Sequence, residues 1–103
     1  MSLREVLDAA SSELGDVETL AEPGGDVTWS RGDRAFAILG AGGSAAEFAL
    51  DPAVAAAATR TPDVVPSTRG RGWVRFEPAS LDPHSQDRAS AWFGSAYRRL
   101  GSR

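Results

Sequence analysis

Leu3, Val6, Leu7, Ala10 and Leu14 return at helical spacing, which predicts an amphipathic helix over residues 3–14. Ser2 and Glu5 are spaced as a capping box, and Gly15 is a natural stop. From residue 17 the pattern shortens to alternation. Val17-Glu18-Thr19-Leu20 and Val27-Thr28-Trp29-Ser30 are β-prone and are parted by the turn Pro23-Gly24-Gly25-Asp26. Arg31-Gly32-Asp33 reads as a tight reversal into Arg34–Leu39, where strict alternation puts Phe36 and Ile38 on one face. The glycine turn 40–43 leads to Ala45–Leu50, with Ala46, Phe48 and Leu50 inward and Glu47 outward.

Asp51-Pro52 is a cap followed by proline at the first helical position, so a short alanine-rich helix over 52–59 follows, burying little beyond Val54. Residues 61–66 are punctuated by proline and read as extended or looped. In the strand after them, Val74 and Phe76 share one face, with Trp73, Arg75 and Glu77 on the other. Asp82-Pro83 repeats the capping signal. Ala89, Trp92, Phe93, Ala96, Tyr97 and Leu100 then form the clearest helical stripe in the chain, ending in Arg98 and Arg99 beside the negative end of the helix dipole. The expected architecture is an α+β single domain over 1–103: an antiparallel sheet with helices packed on one face, in the order α-β-β-β-β-α-β-α.

Composition narrows the chemistry. With no cysteine there is no disulfide or thiolate, and a cytoplasmic setting is expected. The N-terminal residues lack the apolar run of a signal peptide, no stretch has the length of a membrane span, and no membrane partner is expected. Net charge is −3, but it is divided unevenly. Residues 1–51 hold ten acids and three arginines, whereas residues 52–103 hold four acids and eight arginines, so one side of the fold is expected to be basic.

The order of these segments resembles the MmcQ/YjbR-like family of small proteins with a double-wing fold. The resemblance is carried by Arg34-Ala35-Phe36-Ala37, by Phe48-Ala49-Leu50-Asp51-Pro52, and by Pro66-Ser67 with Trp73-Val74 six residues on. The helix starting at Leu81-Asp82 and ending near Ala96-Tyr97 completes it. Many relatives carry lysine where this chain has Arg34, and a lysine before the last strand where it has Arg69 and Arg71. The resemblance implies a DNA-binding module.

The residues themselves leave three readings open. Arg69 and Arg71 on a glycine-jointed loop, with Trp73 and Arg75 on the following strand and Arg31 and Arg34 on a neighbouring turn, combine guanidinium groups with an aromatic plane. That set suits the backbone and bases of a nucleic acid; the bland alternative is that Trp73 packs under the last helix while the arginines pair with the chain's many acids. A small-molecule or anion-binding accessory or resistance protein, with its site beside Trp29, Ser67 and Trp73, is the alternative, and an interaction adaptor working through an exposed strand or helix face is the third. Catalysis is disfavoured, because the sole histidine, His84, stands in a helix's first turn, with Asp82 and Ser85 too near in sequence to converge on it. No metal or cofactor is expected, and the expected state is a monomer or weak dimer.

Overall fold

A computed structural model of the chain describes residues 1–101. Its elements are α1 (Leu3–Ser12), β1 (Val17–Ala21), β2 (Val27–Arg31), β3 (Arg34–Leu39), β4 (Ala46–Ala49), α2 (Pro52–Ala58), β5 (Val64–Pro66), β6 (Trp73–Phe76) and α3 (Pro83–Gly101). All strand pairs are antiparallel, in one sheet of order β1-β2-β3-β4-β6-β5. The fold is therefore α+β, with one strand more than the alternation indicates. Val64–Pro66 pairs with β6 although its sequence shows no alternation, because a proline can close an edge strand that needs no further donor.

The caps form as their chemistry requires. Ser2 and Glu5 make a complete capping box on α1. The Asp51 carboxylate accepts the Ala53 N–H at 3.1 Å, and the Asp82 carboxylate accepts the Ser85 N–H at 2.8 Å. The second of these bonds, together with the contact from Arg88 to the Ser85 hydroxyl, ties this cluster to the first turns of α3. These bonds hold the Asp82 carboxyl below its ordinary range, the Ser85 N–H foremost.

One side of the sheet carries all three helices. Leu3, Val6 and Leu7 of α1, Ala55 and Ala58 of α2, and Ala89, Phe93 and Ala96 of α3 enter one cluster with Trp29, Phe48, Val74 and Phe76. Its centre is aromatic. Phe93 meets Phe36 and Trp29 edge-on, at 5.0 and 5.7 Å between ring centres, and Trp92 meets Phe76 the same way at 5.1 Å. In α2 the burial differs from expectation: Ala55 and Ala58 are buried and Val54 is exposed, since a short helix lying close to a sheet leaves room only for methyl groups between them.

Phe36 and Ile38 do not share a face. The register shifts between Trp29 and Ser30, so that Trp29 opposes Ala37 while Ser30 opposes Ala35. Phe36 is the extra residue of this bulge, and its ring turns to α3, where it meets Phe93 and Tyr97. Ile38 keeps the alternation and lies on the opposite, uncovered face, between Thr28 and Glu47. A row of side chains crosses that face on all six strands: Leu20, Thr28, Ile38, Glu47, Arg75 and Val65.

Candidate ligand cleft and its arginine loop

The segment joining β5 to β6, residues 67–72, links neighbouring antiparallel strands and stands at the sheet end where β3 begins and β4 finishes. Its backbone is anchored at three points. Ser67 N–H donates to the Trp73 carbonyl at 2.9 Å, Trp73 N–H to Gly70 at 3.2 Å, and Leu50 N–H to Gly72 at 2.8 Å. Gly72 has φ +85°, and a β-carbon there would overlap the Leu50 carbonyl oxygen, so both the conformation and the space demand glycine.

Glu47 organises the outer side of this loop. It projects from β4 on the uncovered face, across from Arg75 of β6. One carboxylate oxygen accepts Arg69 Nε–H at 2.7 Å and the other accepts the Ser67 hydroxyl, whose oxygen in turn accepts the Arg69 N–H at 3.1 Å. The Glu47 side chain is only 18% exposed. Burial pushes its pKa up, but the hydrogen bonds from Ser67 and Arg69 and the charges of Arg69 and Arg75 more than offset this, and the carboxyl lies below its ordinary value. Arg75 in turn pairs with Glu77 at 2.8 Å.

The inner side of the loop walls a cleft of about 340 Å3. Pro52, Ala55 and Ala56 of α2, with Thr59 capping its C-terminal end, form one wall, and Pro66, Gly70, Arg71 and Gly72 the other, with Trp73 and Val74 at the base. The lining is apolar save for the Arg71 guanidinium and the Thr59 hydroxyl, the latter donating to Ala56. Arg71 is exposed and makes no ion pair among the described residues. An apolar trough with one cation at its mouth fits a small molecule with a hydrocarbon body and a negative group.

The six residues expected to meet a nucleic acid are thus divided. Arg69 and Arg75 are neutralised by Glu47 and Glu77. Arg31 lies on the helix-bearing side, where its guanidinium donates to the Tyr97 carbonyl at 3.3 Å and stacks 4.2 Å from the Tyr97 ring centre, satisfying the end of α3. Arg34 is the cross-strand partner of Arg31, so it points to that same side, two strands from β6. Arg71 faces the cleft, and Trp73 is half-buried beside Gly70. The arginines do not converge on one indole.

Trp29 is likewise no part of a site with Ser67 and Trp73. It is fully buried under Phe93, and its indole N–H has no acceptor among the described residues. Glu47 and Arg88 are the polar residues that periodicity passes over. Arg88 covers the Phe76 ring at 4.9 Å and donates to the Pro62 carbonyl at 3.0 Å, fastening the approach to β5. Alternation does turn Glu47 outward, but its partners lie 20 and 22 residues away on the far side of a helix. Among the described residues no helix is long and apolar enough to cross a membrane, and no three His, Asp or Glu side chains gather as metal ligands would. No protein-family model matches the chain, and no curated protein matches it.

Proposed function

We propose that this chain is a non-catalytic binding module whose site is the cleft between α2 and the 67–72 loop, and that it takes a small organic anion. The observation that carries this reading is the pairing of an apolar trough with Arg71, a guanidinium left without a carboxylate partner while its neighbours Arg69 and Arg75 have one. The hydrocarbon part of the ligand lies against Pro52, Ala55, Ala56 and Val74, and its carboxylate or phosphate meets Arg71, whose planar fork suits either group. Membership of the MmcQ/YjbR-like family belongs to the same proposal. Its support is that Arg34–Ala37, Phe48–Ala49 and Trp73–Val74 stand on three adjacent strands, β3, β4 and β6, with Pro52 opening α2 after β4 and Pro66 closing β5 beside β6.

The test is a thermal-shift titration with benzoate, hexanoate and phenyl phosphate against their neutral counterparts benzyl alcohol and hexanol. Binding at about a hundred times Kd stabilises by about 2.7 kcal/mol, which for a domain of this size raises Tm by roughly 10 °C or more. Arg71→Ala should abolish the shift for the anions. Ala56→Leu, an exposed position on α2 where leucine keeps the helix, should plug the trough and block all probes. If no anion moves Tm, and the chain instead binds duplex DNA with an affinity that falls steeply with salt, the cleft reading is wrong and the nucleic-acid reading replaces it.

A further inference from the structure

The cleft and the Glu47 cluster lie on opposite sides of one six-residue loop, and we infer that Glu47 is the positioning residue that holds the cleft's arginine wall in place. The inference rests on the cleft being the binding site, but its first test does not need a ligand. The loop has two halves of different character. Its first half is gathered onto one carboxylate: the Ser67 hydroxyl and Arg69 Nε–H both donate to Glu47, and the Arg69 N–H closes the ring by donating to Ser67 Oγ. Its second half holds Arg71 between Gly70 at φ +148° and Gly72 at φ +85°. Glycine joints on both sides give Arg71 no rigidity of its own. Beyond Gly72 the chain enters β6, and before Ser67 it leaves β5 at Pro66, whose φ is fixed. The Glu47 clamp is the side-chain tie that keeps the intervening strap down.

The clamp acts from a protected position. The Glu47 side chain is 18% exposed and that of Arg69 40%, against 46% for each partner of the Arg4–Asp8 surface pair, so solvent screens the carboxylate end less. Arg75 lies across from Glu47 but spends its short contact on Glu77, which leaves Arg69 as the cation that matters for the strap. Releasing Glu47 therefore frees Arg69, then the Gly70 carbonyl that Trp73 uses, and finally the wall that carries Arg71. A ligand that needs Arg71 loses affinity without any change in a residue it touches.

Amide hydrogen exchange on the ligand-free chain separates the possibilities. Glu47→Gln keeps the shape and removes the charge; Arg69→Gln removes the other partner; Arg75→Gln is the control on the same face. In the first two variants exchange at the Arg69 and Trp73 amides should quicken by roughly five- to tenfold, with the double variant no faster than either single one. Exchange at Phe93 in all variants, and at Arg69 and Trp73 in Arg75→Gln, should stay as in the parent chain. Unchanged exchange at Arg69 and Trp73 in Glu47→Gln overturns the inference, and so does an equal acceleration at Phe93, because Glu47 would then act only through global stability. Phenyl phosphate titrated into the same variants gives the second arm. Weaker binding in Glu47→Gln, with hexanol unaffected, supports the positioning role. If exchange responds as expected but phenyl phosphate never binds the parent chain, the clamp stands and the ligand reading falls.

Discussion

Replacing Gly72 by alanine concentrates the physical argument for the cleft on one atom. The backbone at residue 72 has φ +85°, and the added methyl group would run into the Leu50 carbonyl oxygen, which belongs to the backbone where β4 passes into α2 and cannot swing aside. Two costs add. An L-residue held in the left-handed region loses about 1–2 kcal/mol. Moving residue 72 away from Leu50 breaks the bond from Leu50 N–H to its carbonyl, now 2.8 Å long, worth about 1 kcal/mol. The sum, about 2–3 kcal/mol, is a large share of the roughly 5–15 kcal/mol that holds a domain of this kind together. Equilibrium urea unfolding should show the midpoint falling at unchanged slope, and Tm should drop by roughly 10–20 °C. Gly32→Ala is the internal control. Its φ is +65° but its β-carbon would meet open space, so only the conformational cost, about 1–2 kcal/mol, applies. Should Gly72→Ala prove no more destabilising than Gly32→Ala, the close approach of the loop to the β4–α2 junction is wrong, and with it the shape of the cleft.

Three further outcomes are expected. Phe93→Ala removes a fully buried ring that touches Phe36 and Trp29, and calorimetry should register a loss of about 3–5 kcal/mol, enough to leave the chain near its unfolding threshold. Tyr97→Phe deletes the 2.7 Å bond from the phenol to the Gly15 carbonyl, which ties the end of α3 to the turn after α1; urea unfolding should show a loss of about 0.5–1.5 kcal/mol. The third concerns acid. Because Glu47 has a lowered folded pKa, its contribution to stability is complete above the unfolded value of about 4.3 and is lost as pH falls through the folded one. Stability curves of the parent chain and Glu47→Gln should therefore stand furthest apart above about pH 4.3 and draw together as pH falls from there through the lowered folded value, and parallel curves across that range would contradict the clamp.

Much of the fold was legible along the chain. The capping box at Ser2 and Glu5, the aspartate–proline starts at 51–52 and 82–83, the outward Glu47 and the apolar stripe of α3 are local: each depends on residues within a turn or two of one another, where spacing alone decides which side chains meet. The candidate site was legible only in pieces. The 67–72 loop stood out by its glycines and arginines, but the residue that organises it did not, and neither did the small faces of Ala55 and Ala56 that make the other wall.

What the tertiary structure decided is where each charge goes. Arg31 finds the end of a helix 66 residues away, Arg69 finds Glu47 across β4 and β6, and Phe36 is turned inward by a register shift between β2 and β3. A guanidinium carries the same charge wherever it stands in the sequence, and its meaning comes from the acid, carbonyl or apolar trough that folding brings beside it. Periodicity reports which side of an element faces the interior, since burial of apolar area is a property of one element against any neighbour. Pairing is a property of two particular strands or loops, and for this chain it is the adjacency of β4 and β6 that separates an arginine held by a carboxylate from one that has none among the described residues.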